Sequence, residues 1–89
     1  MANQSTPLDV SALGLLFTGP FTWRGFSIAS VAGADVVIYD NTSAAGLVLA
    51  AFTLGAKGWA AENVSDGMRC TKGIFVVSSA ALTGHVRIG

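Results

Sequence analysis

Charge is scarce in this chain. Of its 89 residues only 11% are Asp, Glu, Lys or Arg, against roughly 25% in an average soluble domain. The basic side chains Arg24, Lys57, Arg69, Lys72 and Arg87 are scattered among Asp9, Asp35, Asp40, Glu62 and Asp66, and the net charge is zero. Nucleic-acid binders neutralise phosphates with a basic face, so no nucleic-acid partner is expected. A polybasic membrane anchor is excluded on the same ground. Cysteine is rarer still: Cys70 stands alone, which rules out an internal disulfide and a stapled secreted scaffold. His85 is the only histidine. Three or four zinc ligands cannot be gathered around it, so no metal is expected.

Long apolar runs are missing as well. The longest stretch without a charge, Asn41 to Ala56, has 16 residues and carries Gly46 and Gly55. A spanning helix needs about 20 mostly apolar residues, so no membrane partner is expected. No basic residue precedes the short apolar segment Leu13–Phe17, which does not read as a secretory signal. The phosphate-cradling patterns GxGxxG and GxxxxGK[ST] are absent, so no cofactor is expected either. Asp40-Asn41-Thr42 lacks the later ligands of a calcium loop.

What is present is hydrophobic. Such residues make up 52% of the chain and mean hydropathy is +0.60. A 9.0 kDa chain folds to about 4,900 Å² of surface and buries roughly 63% of its extended area, enough for one thin core. Five acidic and five basic side chains cannot dress that surface. The composition suits a protein covered by neighbours.

Eleven glycines punctuate the chain, mostly at the spacing of short strands and turns. Ala34–Asp40 is dense in β-branched and aromatic residues, Asp40–Gly46 reads as a loop, and Leu47–Leu54 as the other arm of a hairpin. Gly73–Ser79 is another strand. In Thr83–Ile88, Val86 and Ile88 alternate with His85 and Arg87, the pattern of a half-buried strand. Within Phe21–Ala32 the large apolar residues shift from odd positions (Phe21, Trp23) to even ones (Phe26, Ile28). One strand face cannot hold both sets without a bulge or bend, placed at Gly25. Ala44–Ala61 is rich in the helix formers Ala and Leu, but Gly46, Gly55, Gly58, Val48, Phe52 and Thr53 favour strand. The fold class is all-β: a compact small β-sandwich or jelly-roll-like barrel of seven or eight short strands. Residues 13–89 form the single domain and residues 1–12 an extended N-terminal arm, polar at its start.

No catalytic constellation assembles on the line of the sequence, and no enzyme is expected. Cys70 with His85 could pair as nucleophile and base, but a lone cysteine more often fills a core. Asp35 and Asp40 fall on opposite faces of one strand. Solvated turn carboxylates are the expected role of the acidic residues. Trp23, Tyr39 and Trp59 are candidates for a sugar-stacking platform, against the usual burial of aromatic residues.

The stretch Val37-Ile38-Tyr39-Asp40-Asn41-Thr42-Ser43-Ala44-Ala45-Gly46-Leu47-Val48-Leu49-Ala50 resembles a strand–loop–strand of small virion proteins of tailed bacteriophages, approximately I-x-D-x-T-S-A-x-G-x-x-L-A. Gly67-Met68-Arg69, Gly73-Ile74-Phe75-Val76-Val77 and Gly84-His85-Val86-Arg87-Ile88 follow in the order of that pattern. It departs at Cys70-Thr71-Lys72, where the family carries an aromatic residue and a proline. The resemblance implies a small β-sandwich subunit in a symmetric ring or trimer on a virion. The expected function is a capsid decoration (cement) protein binding between capsid subunits, made in the bacterial host cytoplasm. The expected partners are itself, as a homotrimer, and the major capsid protein or other virion subunits. A glycan- or receptor-binding module, or another head–tail or tail structural component, is the alternative. Val37 and Tyr39, on the second apolar face of their strand, are candidate interface residues. Leu8 and Val10 are expected to anchor the arm on a neighbour, with Trp23 and Trp59 completing the candidate interface.

Overall fold

The computed structural model describes residues 6–89, apart from the side chain of Ser65. Eight strands run in chain order: β1 (Thr6–Asp9), β2 (Gly14–Thr18), β3 (Phe21–Ser30), β4 (Ala34–Asp40), β5 (Leu47–Leu54), β6 (Gly58–Cys70), β7 (Gly73–Ser78) and β8 (Thr83–Ile88). There is no helix among the described residues. The Ala- and Leu-rich stretch is strand, as β5 and the start of β6. Of the glycines expected to break a helix there, Gly55 and Gly58 serve the turn between them, where Gly58 N–H donates to the Gly55 carbonyl at 2.8 Å.

The strands form two antiparallel sheets, A in the order β1-β8-β3-β6 and B in the order β2-β7-β4-β5. First pairs with last, second with seventh, third with sixth and fourth with fifth, and successive pairs alternate between the sheets. That nesting is a jelly roll, one long antiparallel ribbon wrapped into a sandwich. The accessible surface is 4942 Å², in line with the scaling expectation.

The core lies between the sheets. Trp23 and Ile28 of β3 and Val86 of β8 meet Val36 and Ile38 of β4 and Ile74 and Val76 of β7 there, all fully buried. Phe26 of sheet A stacks on Phe52 of sheet B, with ring centroids 4.8 Å apart and planes 4° from parallel. The phase change read from Phe21–Ile28 is a bulge. The register of β3 shifts between Trp23 and Gly25 against both β6 and β8. Gly25 sits at φ +113°, and a Cβ there would run into the carbonyl oxygen of Glu62. The bulge is why Trp23 and Phe26, three residues apart, both point inward.

Two expectations need correction. Residues 1–5 of the expected arm lie outside the described residues, but the rest of it is not free. Thr6, Pro7, Leu8 and Asp9 pair with Ile88, Arg87, Val86 and His85, and Val10 is 0% exposed within the core. Strand β8 would otherwise present an open edge, and β1 covers it while burying Leu8 and Val10 against their own domain. Trp23, expected at an interface, is 1% exposed at the centre of the sandwich. Val10 and Trp23 are therefore part of the core.

Candidate functional site

The groups that could carry chemistry are dispersed. Cys70 is buried on β6, its Sγ donating to the Met68 carbonyl at 3.6 Å. Burial, and then the charge of Asp40, push its thiol up to about 11, the reverse of what a thiolate nucleophile needs. Asp40 departs from the solvated role expected of it. It is buried, and its oxygens accept the backbone N–H groups of Thr71, Lys72 and Gly73 at 3.4, 3.1 and 3.3 Å. That carboxylate is structural. No group of three or more His, Cys, Asp or Glu side chains among the described residues could hold a metal ion.

On the outer face of sheet A, Asp9, His85 and Ser27 follow one another across β1, β8 and β3. These are the residue types of an acid–base–nucleophile relay, and linear sequence reading missed the row because three distant strands supply it. No hydrogen bond joins the three among the described residues. Asp9 accepts the Ser11 N–H at 2.8 Å, which holds its carboxyl below the ordinary value. His85 Nε2 lies 3.2 Å from Arg87 Nη1. Arg87 also donates to the Glu62 carbonyl at 2.7 Å. This row is polar and held to itself, while Trp59 stands exposed on the same sheet beside Ala29.

The outer face of sheet B is the opposite. Alternation along β4 buries Val36 and Ile38 and turns Val37 and Tyr39 outward, both half-buried. Tyr39 is flanked by Phe75 of β7 and Val48 of β5, and Phe75 in turn by Leu15 of β2. A second row sets Val77 and Ala51 on either side of Val37. Leu15, Val48 and Val77 are all exposed, and neither row contains a charge. The face turns polar only at Asp35, which accepts the Thr53 hydroxyl at 2.9 Å. A contiguous apolar surface of this kind is a candidate interaction site. Sequence reading placed Val37 and Tyr39 here. Leu15, Val48, Phe75 and Val77 were missed because strand adjacency, not spacing, brings them together.

The remaining candidates are elsewhere. Trp59 is 74% exposed on the opposite sheet, beside Ala29, and Leu8 is half-buried in β1. With Trp23 in the core and Tyr39 on sheet B, the three rings proposed for sugar stacking do not share a surface. A depression of about 300 Å³ between Gly33, Asp35, Leu54, Gly55 and Ser79 is lined mostly by small side chains and gathers no acid–base pair. No protein-family model, curated protein or solved structure matches this chain.

Proposed function

We propose that the chain is a structural subunit of a tailed-bacteriophage particle, a capsid decoration protein that seats on neighbouring virion subunits through the outer face of sheet B. The observation that carries the reading is the contrast between the two sheets. One outer face carries the hydrogen-bonded polar groups Asp9, His85 and Arg87, with Trp59 as a large exposed apolar side chain. The other presents two uncharged rows, one across β2, β7, β4 and β5 and one across β7, β4 and β5.

Three further points support it. The jelly roll is a fold of viral capsid proteins, although it also serves lectins, so the fold is an analogy and not an identification. The stretch resembling phage virion proteins, Val37–Ala50, runs through β4 and into β5 and supplies Tyr39 and Val48 to the apolar rows. Low charge suits a subunit whose partner covers much of its surface. The glycan-binding alternative keeps one exposed ring, Trp59, but loses a shared platform because Trp23 is buried and Tyr39 lies on the other sheet.

The test is co-sedimentation with capsids built from the major capsid protein encoded next to this chain and stripped of decoration. Wild type should pellet with them. Val77→Lys, which sets a charge in the second apolar row, should stay in the supernatant with an unchanged circular dichroism spectrum. Equal binding by Val77→Lys would remove the face from the mechanism. A neighbouring gene cluster for tail proteins, with binding to tail tubes only, would overturn the capsid assignment.

A further inference from the structure

A sandwich of two open sheets has four edge strands, and edges invite pairing unless something blocks them. Strand β1 is four residues long and contains Pro7. Strand β2 has five residues and a register shift between Leu15 and Phe17. Strand β6 carries Glu62, Asp66 and Arg69. Strand β5, Leu-Val-Leu-Ala-Ala-Phe-Thr-Leu, has no charge, proline or glycine in eight residues. Its irregularity is at Leu49, where the register against β4 shifts, and from Ala50 to Leu54 the pairing is regular.

The polar groups that β5 offers can be read from its neighbours. Ser79 N–H donates to the Asp35 carbonyl at 3.1 Å, so the peptide groups of Asp35 face the β7 side. Peptide groups alternate sides along a strand. Val37 therefore also faces β7, while Ala34, Val36 and Ile38 face β5. Their partners Leu54, Phe52 and Ala50 turn their N–H and C=O groups toward β4. Ala51 and Thr53 turn theirs to the open edge.

We propose that β5 pairs antiparallel with β5 of a second copy about a twofold axis at Phe52, joining two B sheets into one of eight strands. In that register Ala51 of one copy faces Thr53 of the other, and each pair exchanges both of its free N–H and C=O groups. Phe52 faces Phe52 at the close, non-hydrogen-bonded position, where aromatic pairs add most. Phe52 is half-buried, stacked on Phe26 with part of its ring uncovered. A second copy is the occupant that fits. The edge is its own complement under the twofold, and with no charge on it no like charges meet. The axis stands perpendicular to the sheet, so the two apolar outer faces end up side by side and the docking face doubles. Such a contact closes at two copies, in place of the three implied by the resemblance. It does not depend on what the face docks against.

The experiment is the mass in solution, by light scattering or native mass spectrometry, across nanomolar to tens of micromolar protein. Wild type should reach twice the 9.0 kDa monomer mass. Ala51→Pro removes one free-edge donor per copy while keeping a small apolar side chain, a placement that edge strands tolerate. With two donors lost per dimer, its dissociation constant should rise about a hundredfold. Val77→Lys should remain dimeric. Amide hydrogen exchange on wild type gives a variant-free reading: Ala51 and Thr53 should be slow at high concentration and fast on dilution. A wild-type monomer or trimer, an Ala51→Pro dimer of unchanged affinity, or fast exchange at Ala51 and Thr53 in the dimer would each overturn the proposal.

Discussion

The carboxylate of Asp40 accepts the backbone N–H of Lys72 at 3.1 Å, tying together residues 32 positions apart. The same oxygen takes the N–H of Gly73 and its twin that of Thr71. The turn it holds is where the chain leaves β6 in sheet A and enters β7 in sheet B. One side chain thus fixes a crossing between the two layers.

Asp40→Ala should therefore destabilise by about 2–4 kcal/mol, because several amides lose a charged acceptor in a partly buried site. Asp40→Asn, which keeps one acceptor oxygen, should lose less. Urea unfolding midpoints check the order, and equal stability of all three proteins would contradict the role assigned to the carboxylate.

Gly25→Ala should cost about 3 kcal/mol or more. The new Cβ would meet the Glu62 carbonyl from a backbone at φ +113°, a region that L residues avoid. Gly14 also has a positive φ of +100° but open space around it, so Gly14→Ala should lose only the backbone share of that penalty. Thermal melts of the two variants separate steric clash from conformational strain.

The Cys70 thiol holds its proton to higher pH in the folded protein, near 11, than in the unfolded chain, near 9. Between those values the native state binds more protons, so the stability linked to this group is complete below about pH 9 and lost as pH rises toward 11. Cys70→Ala lacks this term. The stability gap between wild type and Cys70→Ala should narrow from pH 8 to pH 11 in urea titrations. A gap independent of pH would show that the thiol is not desolvated.

The two tryptophans should report separately by fluorescence. Trp23 is sealed in the core and Trp59 lies 74% exposed, so acrylamide should quench one fraction of the emission readily and spare the other. Trp59→Phe should remove the quenchable fraction and shift stability by less than about 0.5 kcal/mol, as exposed substitutions do. Uniform quenching in wild type would place both rings in similar surroundings.

Much of the fold could be read along the chain where the signal was local. The change of phase between Trp23 and Phe26 announced the bulge, and alternation in Thr83–Ile88 gave β8 at its observed bounds. Trp23, expected at an interface, lies in the core, because the bulge turns both Trp23 and Phe26 inward. Leu8 and Val10, expected to anchor on a neighbour, pack on their own domain instead. Two apolar residues are too short a period to say which edge they cover, and that edge, β8, lies almost at the far end of the sequence. Asp40 was misread for a related reason: its amide partners are more than thirty residues away. Of the apolar outer face of sheet B, only the β4 members were legible in the sequence, because its rows exist only once β2, β7, β4 and β5 stand side by side.

The pairing of Thr6 with Ile88 also decides how the molecule bears a mechanical load. A pull between these two neighbours acts across the β1–β8 ladder, so hydrogen bonds open one after another instead of sharing the force. Strand β1 would peel first, at low tension, drawing Leu8 and then Val10 out of the sandwich. A pull between Thr6 and the opposite end of β8, at Thr83, would run along the strands and load the ladder together. The protein is therefore mechanically anisotropic, soft where its first and last strands meet and stiff along their length.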